Sequence, residues 1–282
     1  MSVVVPVRNA ESIVEACLES IVRSRPREVI VVDGKSTDRT VEIAGRYADH
    51  ILSDEGDGLP VARLLGVRAS RSRWVVLVDA DVVLPDGALT ELLEEFVAGR
   101  YTALQAGLRT VSGPGYWGRA LAHHHLTGRS KDWLGVMATV LERQAMLEHG
   151  FDARFLSGED IELRWRLERA GLKVGVSRRT TVVHRFADDS FAFAKDQWLA
   201  DGKGLGRMVR KHGPRGAWLL LLPLLAGIRG VVLSLTVWRQ PRWMPYFVLY
   251  CFFNYVGIFG VLRRQVATWK PSPRADLLVE GR

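Results

Sequence analysis

Two carboxylates stand where a buried strand is predicted to end. The apolar run at residues 74–78 is typical of a buried parallel strand, and Asp79, Ala80 and Asp81 follow it directly. Ligands of open α/β sheets bind beyond the carboxyl ends of such strands. Two oxygen ligands at that place suit a hard divalent cation, which in turn holds phosphates. Because Asp-x-Asp is common, ordinary loop residues are the alternative reading of this motif.

The elements that must position these acids alternate along the chain. Short β-branched runs are separated by segments with helical spacing, which predicts a mostly parallel sheet with crossover helices. Two further short strands, at residues 173–177 and 181–184, are expected to complete the sheet. The strands predicted before Asp79 lie at residues 2–7, 29–32, 50–53 and 74–78.

Composition limits the class of protein. A chain of 282 residues, 48% of them hydrophobic, is long enough for one large domain and an appendage. The net charge of +8 allows nucleic acid, anionic lipid or phosphorylated small molecules as partners. Cys17 and Cys251 are the only cysteines and occur in unlike contexts, so neither a disulfide nor a zinc site is predicted.

The end of the chain is strongly apolar. Residues 218–238 are uncharged apart from Arg229, and residues 243–262 carry no charge. At a rise of ~1.5 Å per residue each run covers roughly the ~30 Å hydrocarbon core of a bilayer. We therefore expect a transmembrane helical hairpin, with a pair of buried core helices as the alternative. Arg229 is expected to face the partner helix or to extend toward the membrane surface.

Basic residues flank this predicted hairpin on both sides. By the positive-inside rule they place both termini, and the catalytic domain with them, on the cytoplasmic side of the cell membrane. Residues 188–212 mix large apolar with basic side chains, which favours an amphipathic segment on the membrane surface over a solvated helix. Anionic lipid is a simpler partner for this charge than nucleic acid. The flanking residues are Lys203, Arg207, Arg210, Lys211 and Arg215 before the hairpin, and Arg263, Arg264 and Lys270 after it.

Four segments together resemble family 2 glycosyltransferases with the GT-A fold. They are residues 3–9, 31–38, 79–81 and 158–160, and their order and separations match the family over about the first 185 residues. The resemblance implies an α/β GT-A catalytic domain over residues 1–186. It is followed by an amphipathic interface segment at 187–215, the transmembrane hairpin at 216–264 and a cytoplasmic tail at 265–282. This layout is similar to membrane-bound, minimal cellulose-synthase-like mannosyltransferases.

The resemblance also implies a donor site. In the family, the first strand's end and the loop after the second strand hold the nucleotide base and ribose, while a later glycine and arginine approach the diphosphate. A carboxylate such as Asp33 can accept hydrogen bonds from base N–H groups. The chain departs from the family at Ala10, where an acid is usual, and at Lys35, where Gly or Ser is common. The implied donor-binding residues are Pro6, Val7, Arg8, Asn9, Glu11, Asp33, Lys35, Gly58, Arg63, Asp79, Ala80 and Asp81.

The roles implied for Arg63 and for His184 each have an alternative. Arg63 would approach the diphosphate, or would be a surface arginine on a basic helix. By the resemblance, Asp79 would contact ribose or metal-bound water, and Asp81 would ligate Mn²⁺ or Mg²⁺ bridging the diphosphate. His184 follows an apolar strand where family members often place a metal-binding histidine; a hydrogen-bonded structural histidine is the alternative.

The catalytic assignment falls on Asp160. It opens a predicted helix, where its anionic form is favoured, and family members use this residue to deprotonate the acceptor hydroxyl during an inverting displacement. Glu159 and Trp198 are the implied acceptor contacts. Three adjacent histidines, residues 123–125, cannot converge on one ion from a helix, so we predict a structural or acceptor-facing role for them.

The sequence thus predicts an inverting, metal-dependent glycosyltransferase. Its donor would be a nucleoside diphosphate sugar, with GDP-mannose as the first candidate and UDP-sugars next, and its acceptor a hydroxyl of a lipid-linked saccharide. A polyprenyl-phosphate sugar synthase is the nearest alternative, although its anionic acceptor needs no base. A non-catalytic sugar-nucleotide-binding membrane subunit is the alternative from another class.

Overall fold

Eight strands of the chain form one mixed sheet. This computed structural model describes residues 1–128 and 132–263. The strand order is β3-β2-β1-β4-β7-β6-β8-β5. The strands are β1 Ser2–Val7, β2 Glu28–Asp33, β3 His50–Ser53, β4 Trp74–Val78, β5 Val82–Val83, β6 Ala103–Val111, β7 Ala138–Glu142 and β8 Val174–Arg185.

The chain divides into two compact units. In the described chain, the first unit comprises residues 1–111 and 132–187, and the second comprises residues 112–128 and 188–263. Segment 112–128 therefore groups with the second unit, although it falls inside the range predicted for the catalytic domain. The predicted tail at 265–282 and the last hairpin residue, 264, lie outside the described residues.

Helices of the first unit cover both faces of the sheet. Alternate residues of β1 point to opposite faces, so Val3, Val5 and Val7 pack in one core cluster while Val4 packs in the other. Gly66 lets its helix approach β1 closely, because a Cβ there would overlap the side chain of Val4. The helices are α1 Val14–Arg23, α2 Thr40–Ala44, α3 Leu59–Ala69, α4 Ala88–Ala98, α6 Arg143–His149 and α7 Glu159–Arg169.

The sheet differs from the expected pattern at three points. The sequence predicts no strand at Val82–Val83, where the structure has β5. The two short strands predicted at 173–177 and 181–184 are one strand, β8, whose register against β6 shifts between Gln105 and Gly107. The apolar sequence pattern is interrupted at this irregularity, so it predicts two strands in place of one. In addition, β7 runs antiparallel to both β4 and β6, and β5 antiparallel to β8. A fully buried strand is apolar in either direction, so the sequence pattern does not reveal strand polarity.

The second unit is helical. Its helices are α5 Tyr116–Thr127, α8 Phe191–His212, α9 Leu222–Leu235 and α10 Met244–Leu262. Glycines at their contacts allow close packing: a Cβ on Gly202 of α8 would overlap the backbone of Asn254 in α10, and Gly227 of α9 lies against Cys251. α9 and α10 are the two apolar helices expected from the sequence. Within the described residues, two helical stretches have the length and composition needed to cross a membrane: Phe191–Leu235, which contains α8, the following 3₁₀ segment and α9, and Pro241–Leu262, which contains α10.

Candidate donor and catalytic site

Two loops at the carboxyl edge of the sheet are tied together by side-chain hydrogen bonds. The backbone N–H of Asn9 donates to Ser36 Oγ (2.9 Å), and the Asn9 side-chain oxygen accepts from the backbone N–H of Thr37 (2.8 Å). The Glu11 carboxylate accepts from the Arg39 N–H at 3.0 Å. Asn9 and Glu11, both predicted to bind the donor, therefore fix the loop after β1 to the loop after β2.

A pocket opens beside these loops. Asp33 accepts hydrogen bonds from the Ser36 N–H at 3.2 Å, which shapes the turn after β2. Lys35 has a φ of 62° and its Nζ lies 3.3 Å from Glu55 Oε2 on the neighbouring loop. Of the predicted donor-binding residues, the pocket includes four. Its lining comprises Pro6, Val7, Arg8, Gly34, Asp54, Gly56, Gly58, Leu59 and Ala62.

Asp54 is a pocket residue that the sequence analysis missed. It is 1% exposed, and its carboxylate accepts from the N–H groups of Gly56 (2.7 Å) and Gly58 (3.1 Å). Gly58 has a φ of 103°, and a Cβ there would come within 2.9 Å of Leu156. An aspartate two residues before a glycine is a turn signal that could have indicated this role.

Arg63 is buried between two carboxylates. Its Nη2 lies 2.8 Å and 3.1 Å from the two oxygens of Asp79, and its Nη1 lies 2.7 Å from Oε1 of Glu159. The guanidinium also stands over the ring of Phe151 at 5.7 Å. Because its side chain is only 1% exposed, the alternative of a surface arginine is wrong. Arg63 bridges α3, the end of β4 and the start of α7.

The environment of Asp79 affects its ionisation. Burial raises the pKa of the Asp79 carboxyl above its ordinary value, while Arg63 opposes that rise. The backbone N–H of Asp79 donates to the Met137 carbonyl at 2.8 Å, and its carbonyl lies 3.5 Å from the Cys17 thiol. Asp79 is therefore held on both its backbone and its side chain.

Asp81 and His184 stand side by side. His184 Nε2 lies 3.2 Å from Asp81 Oδ2, and Val82 is in register with His184 across the β5–β8 pair. The other oxygen, Asp81 Oδ1, is buried and has no hydrogen-bond partner among the described residues. A carboxylate oxygen left in this state suits a cation, and imidazole beside it suits Mn²⁺. Within the described chain no three His, Cys, Asp or Glu side chains converge, so a cation here would take its remaining ligands from phosphate and water.

Asp160 lies in the first turn of α7. The turn before it bends at Gly158, which has a φ of 76°. Asp160 Oδ1 accepts from the Ile161 N–H at 2.8 Å, and a Cβ on Gly135 would lie 3.7 Å from Asp160 Oδ2. Residues 135–137 thus connect the neighbourhood of Asp160 to that of Asp79. Glu159, predicted to contact the acceptor, is 7% exposed and holds Arg63.

Trp198 and the three histidines belong to the second unit. Trp198 is 1% exposed, donates from Nε1 to the Tyr246 hydroxyl (3.3 Å) and stacks on Phe253. His123 stacks on Trp243 with ring centres 4.9 Å apart, and His124 Nδ1 lies 2.9 Å from the Tyr246 hydroxyl. Burial lowers the pKa of His124 to about 4, so its imidazole is neutral at pH 7. These contacts match a structural role for His123 and His124.

The family model for glycosyl transferase family 2 matches residues 2–154, more than half of the chain. The chain belongs to glycosyl transferase family 2. It is a glycosyltransferase that uses nucleotide-sugar donors.

Two similar proteins align with most of this chain. Succinoglycan biosynthesis protein ExoA of Rhizobium meliloti (strain 1021) is 26% identical over 264 residues, covering 84% of this chain and 78% of that protein. Among solved structures, mannosyltransferase PcManGT from Pyrobaculum calidifontis, in complex with GDP-Man and Mn²⁺, aligns with a TM-score of 0.65 at 18% identity, over 92% of this chain and 86% of that one.

A second similar structure contains a different nucleotide. Glucosyl-3-phosphoglycerate synthase from Mycobacterium tuberculosis, in complex with Mn²⁺, UDP and phosphoglyceric acid, aligns with a TM-score of 0.56 at 19% identity, over 75% of this chain and 78% of that one. At these identities the two structures establish the shared GT-A fold, which confirms the predicted fold class.

Replacing Arg63 by Met should destabilise the first unit. The substitution leaves Asp79 and Glu159 without their shared cation, and breaking a buried ion pair from one side costs about 3–5 kcal/mol. Urea unfolding of both proteins measures the change in free energy. Arg68→Met, which removes a partly exposed arginine from the same helix, is the matched control and should change stability little. Equal stability of the two variants would contradict the bridging role of Arg63.

Proposed function

We propose that this enzyme catalyses inverting, metal-dependent transfer of a sugar from a nucleoside diphosphate to a hydroxyl of a membrane lipid-linked saccharide. The observation that carries the proposal is the buried Arg63 bridge, which joins Asp79 to Glu159, the residue before Asp160. The carboxylates that follow β4 would serve the donor, and Asp160 would serve the incoming hydroxyl.

The donor would lie along the sheet edge. Its nucleoside would enter the pocket beside Pro6, Arg8 and Gly58, where Asp54 holds the loop backbone open. Arg8 is exposed and carries a charge that suits phosphate or ribose hydroxyls. Lys35, paired with Glu55 at the surface, would border the base.

Asp81 and His184 would hold the divalent cation. When bound, Mn²⁺ or Mg²⁺ supplies positive charge that neutralises the departing nucleoside diphosphate. Asp81 contributes its buried Oδ1, which has no hydrogen-bond partner among the described side chains. Asp79 is already engaged by Arg63, so we assign it to the ribose or to metal-bound water.

Asp160 would take the proton of the acceptor hydroxyl. Its position in the first turn of α7 favours the carboxylate form that a base requires. Glu159 points instead to Arg63, so its contribution would be to hold the start of α7 in place. Attack on the side of the sugar opposite to the leaving phosphate inverts the anomeric centre.

GDP-mannose is the first donor to test. The likeness to a mannosyltransferase in complex with GDP-Man and Mn²⁺ supports it, while the likeness to a glucosyl-3-phosphoglycerate synthase in complex with UDP supports UDP-sugars. Both of these structures are complexes with Mn²⁺. A polyprenyl-phosphate sugar synthase remains the alternative activity, because its acceptor would also be a membrane lipid.

The apolar helices support a membrane location for the reaction. We assign the first unit to the cytoplasmic face, where nucleotide sugars are available, and residues 187–215 to the membrane interface. Exposed basic residues of this segment, among them Lys203 and Arg215, suit anionic lipid headgroups.

Asp81→Asn should abolish cation-assisted donor binding. Thermal unfolding of wild type with Mn²⁺ and a panel of GDP- and UDP-sugars should show a rise of several degrees for one donor, since a ligand at 100 times its Kd adds about 2.7 kcal/mol. Asp81→Asn should lose the part of this rise that depends on Mn²⁺. Asp86→Asn, at a side chain that is 87% exposed, is the control. Wild type that responds to no nucleotide sugar would count against the proposal.

Asp160→Asn should lower sugar transfer by about 10²–10⁴-fold, because a positioned base is worth that much. Donor binding, followed by the same thermal shift, should be unchanged. Glu168→Gln, an exposed substitution on the same helix, should keep its activity. Transfer of labelled sugar to a lipid extract measures the effect. Retained transfer by Asp160→Asn would favour the phosphate acceptor, which needs no base.

A further inference from the structure

The second unit collects its exposed apolar side chains on α9 and α10. Each of them is more than a third exposed, and together they form one extended set, here called the apolar face. An exposed apolar surface of this extent marks a docking surface. The apolar face comprises Leu221, Leu224, Leu225, Ile228, Val232, Leu235 and Val237 near or on α9, and Val248, Phe252, Val256 and Phe259 on α10.

The connector of the hairpin is in contact with α5. The Tyr116 hydroxyl donates to the Arg242 carbonyl at 2.5 Å, and its ring stacks on Trp243 at 5.9 Å. His123, two turns further along α5, contacts Trp238 and Trp243 with ring centres 4.5 Å and 4.9 Å away. Residues 116–123 of α5 therefore lie against the connector end of the hairpin, which a transmembrane hairpin would place across the bilayer.

The polar segments that lead into α5 and into α8 lie beside each other at this same connector end of the second unit. Gly115, one residue before α5, donates its N–H to Asp189 Oδ2 at 2.5 Å. Asp189 belongs to the segment before α8, together with the exposed Asp188 and with Ser190, which caps α8. Both stretches of chain that build this unit thus begin beside the hairpin connector. A crossing hairpin would require α8 to cross the bilayer as well, in order to reach the start of α9.

α8 is unsuited to hydrocarbon. Gly202 and Gly206 of α8 pack on the backbone of Asn254 and Ile258, so the two helices run side by side along the second half of α10. At this level α8 exposes the charged side chain of Lys203, and about two turns earlier that of Asp196. Charged side chains facing lipid tails are strongly unfavourable.

α9 is also short for a crossing. Its 14 residues extend over about 21 Å, against a hydrocarbon core of about 30 Å. The 3₁₀ segment before it, Gly213–Leu221, packs against the end of α8. This close contact is seen at Gly216, where a Cβ would lie 3.0 Å from the Met208 carbonyl. Arg229, in the middle of α9, donates to the Thr127 carbonyl at the end of α5 at 3.2 Å. Its partner is thus α5, and neither the other hairpin helix nor a distant membrane surface is needed.

We propose that the second unit inserts its apolar face into a single leaflet, and that α9 and α10 lie along the membrane without crossing it. The partner is a bilayer leaflet with anionic headgroups. The second unit as a whole has a charged side on α8 and an apolar side on α9 and α10, as interfacially bound amphipathic segments do, and exposed arginines at both ends of the hairpin match negative headgroups. These are Arg215, Arg239, Arg242 and Arg263. The inference rests on the proposed membrane location and specifies its geometry.

Cysteine labelling of the full chain in bacterial spheroplasts tests this geometry. Cys251 is first replaced by Ser, while Cys17 is fully buried and needs no change. Arg239→Cys then reports on the hairpin connector, and Arg215→Cys reports on the opposite end of the hairpin. A charged maleimide that does not cross membranes is applied before and after the membrane is opened. Labelling in detergent confirms that both cysteines are accessible on the folded protein.

Insertion into one leaflet predicts that the two cysteines behave alike. With the unit on the cytoplasmic face, neither should label in sealed spheroplasts and both should label after opening. Labelling of either cysteine alone in sealed spheroplasts would show that the two ends of the hairpin lie on opposite sides of the membrane, and would overturn the inference while leaving the enzyme activity intact. Recovery of the protein in the soluble fraction would instead remove the membrane location on which the inference rests.

Discussion

The bridge formed by Arg63 is the interaction on which the site depends. One guanidinium holds Asp79, at the end of β4, and Glu159, at the start of α7, and it is almost completely buried. Two carboxylates in such surroundings would otherwise lack a counter-charge and repel each other. Because Asp160 follows Glu159 directly, the same contact fixes the turn that carries the proposed base relative to the end of β4.

The rest of the donor edge is fixed by backbone hydrogen bonds to side chains. Asn9, Glu11 and Asp54 accept from N–H groups of the loops after β2 and β3. Side chains used in this way position the loops and leave other groups, such as Arg8, free to face solvent and ligand. The pocket proposed for the nucleotide is thereby organised in advance, which would lower the ordering cost of binding.

In the second unit, glycines lie at the contacts between helices, whereas branched side chains pack the core of the first unit. Gly202, Gly206 and Gly257 let α8 and α10 approach until backbone meets backbone, a form of packing that does not depend on water being expelled. Such contacts are suited to helices that lie partly in lipid. They also leave the large apolar residues of α9 and α10 on the outside, where a leaflet can cover them.

Local signals in the sequence were sufficient to predict strands β1 to β4, two parts of β8 and the motifs at Asp33, Asp81 and Asp160, because buried strands and helix starts have such signals. The lack of charge also indicated the two apolar helices. The three-dimensional structure was needed to show that β7 runs antiparallel, that Arg63 lies in the core, and that Asp54 shapes the pocket. Those features depend on pairings between residues far apart in the chain, such as Arg63 with Glu159. The contact between α5 and the hairpin connector is of the same kind: hydropathy measures how apolar a helix is, but not which neighbours cover it.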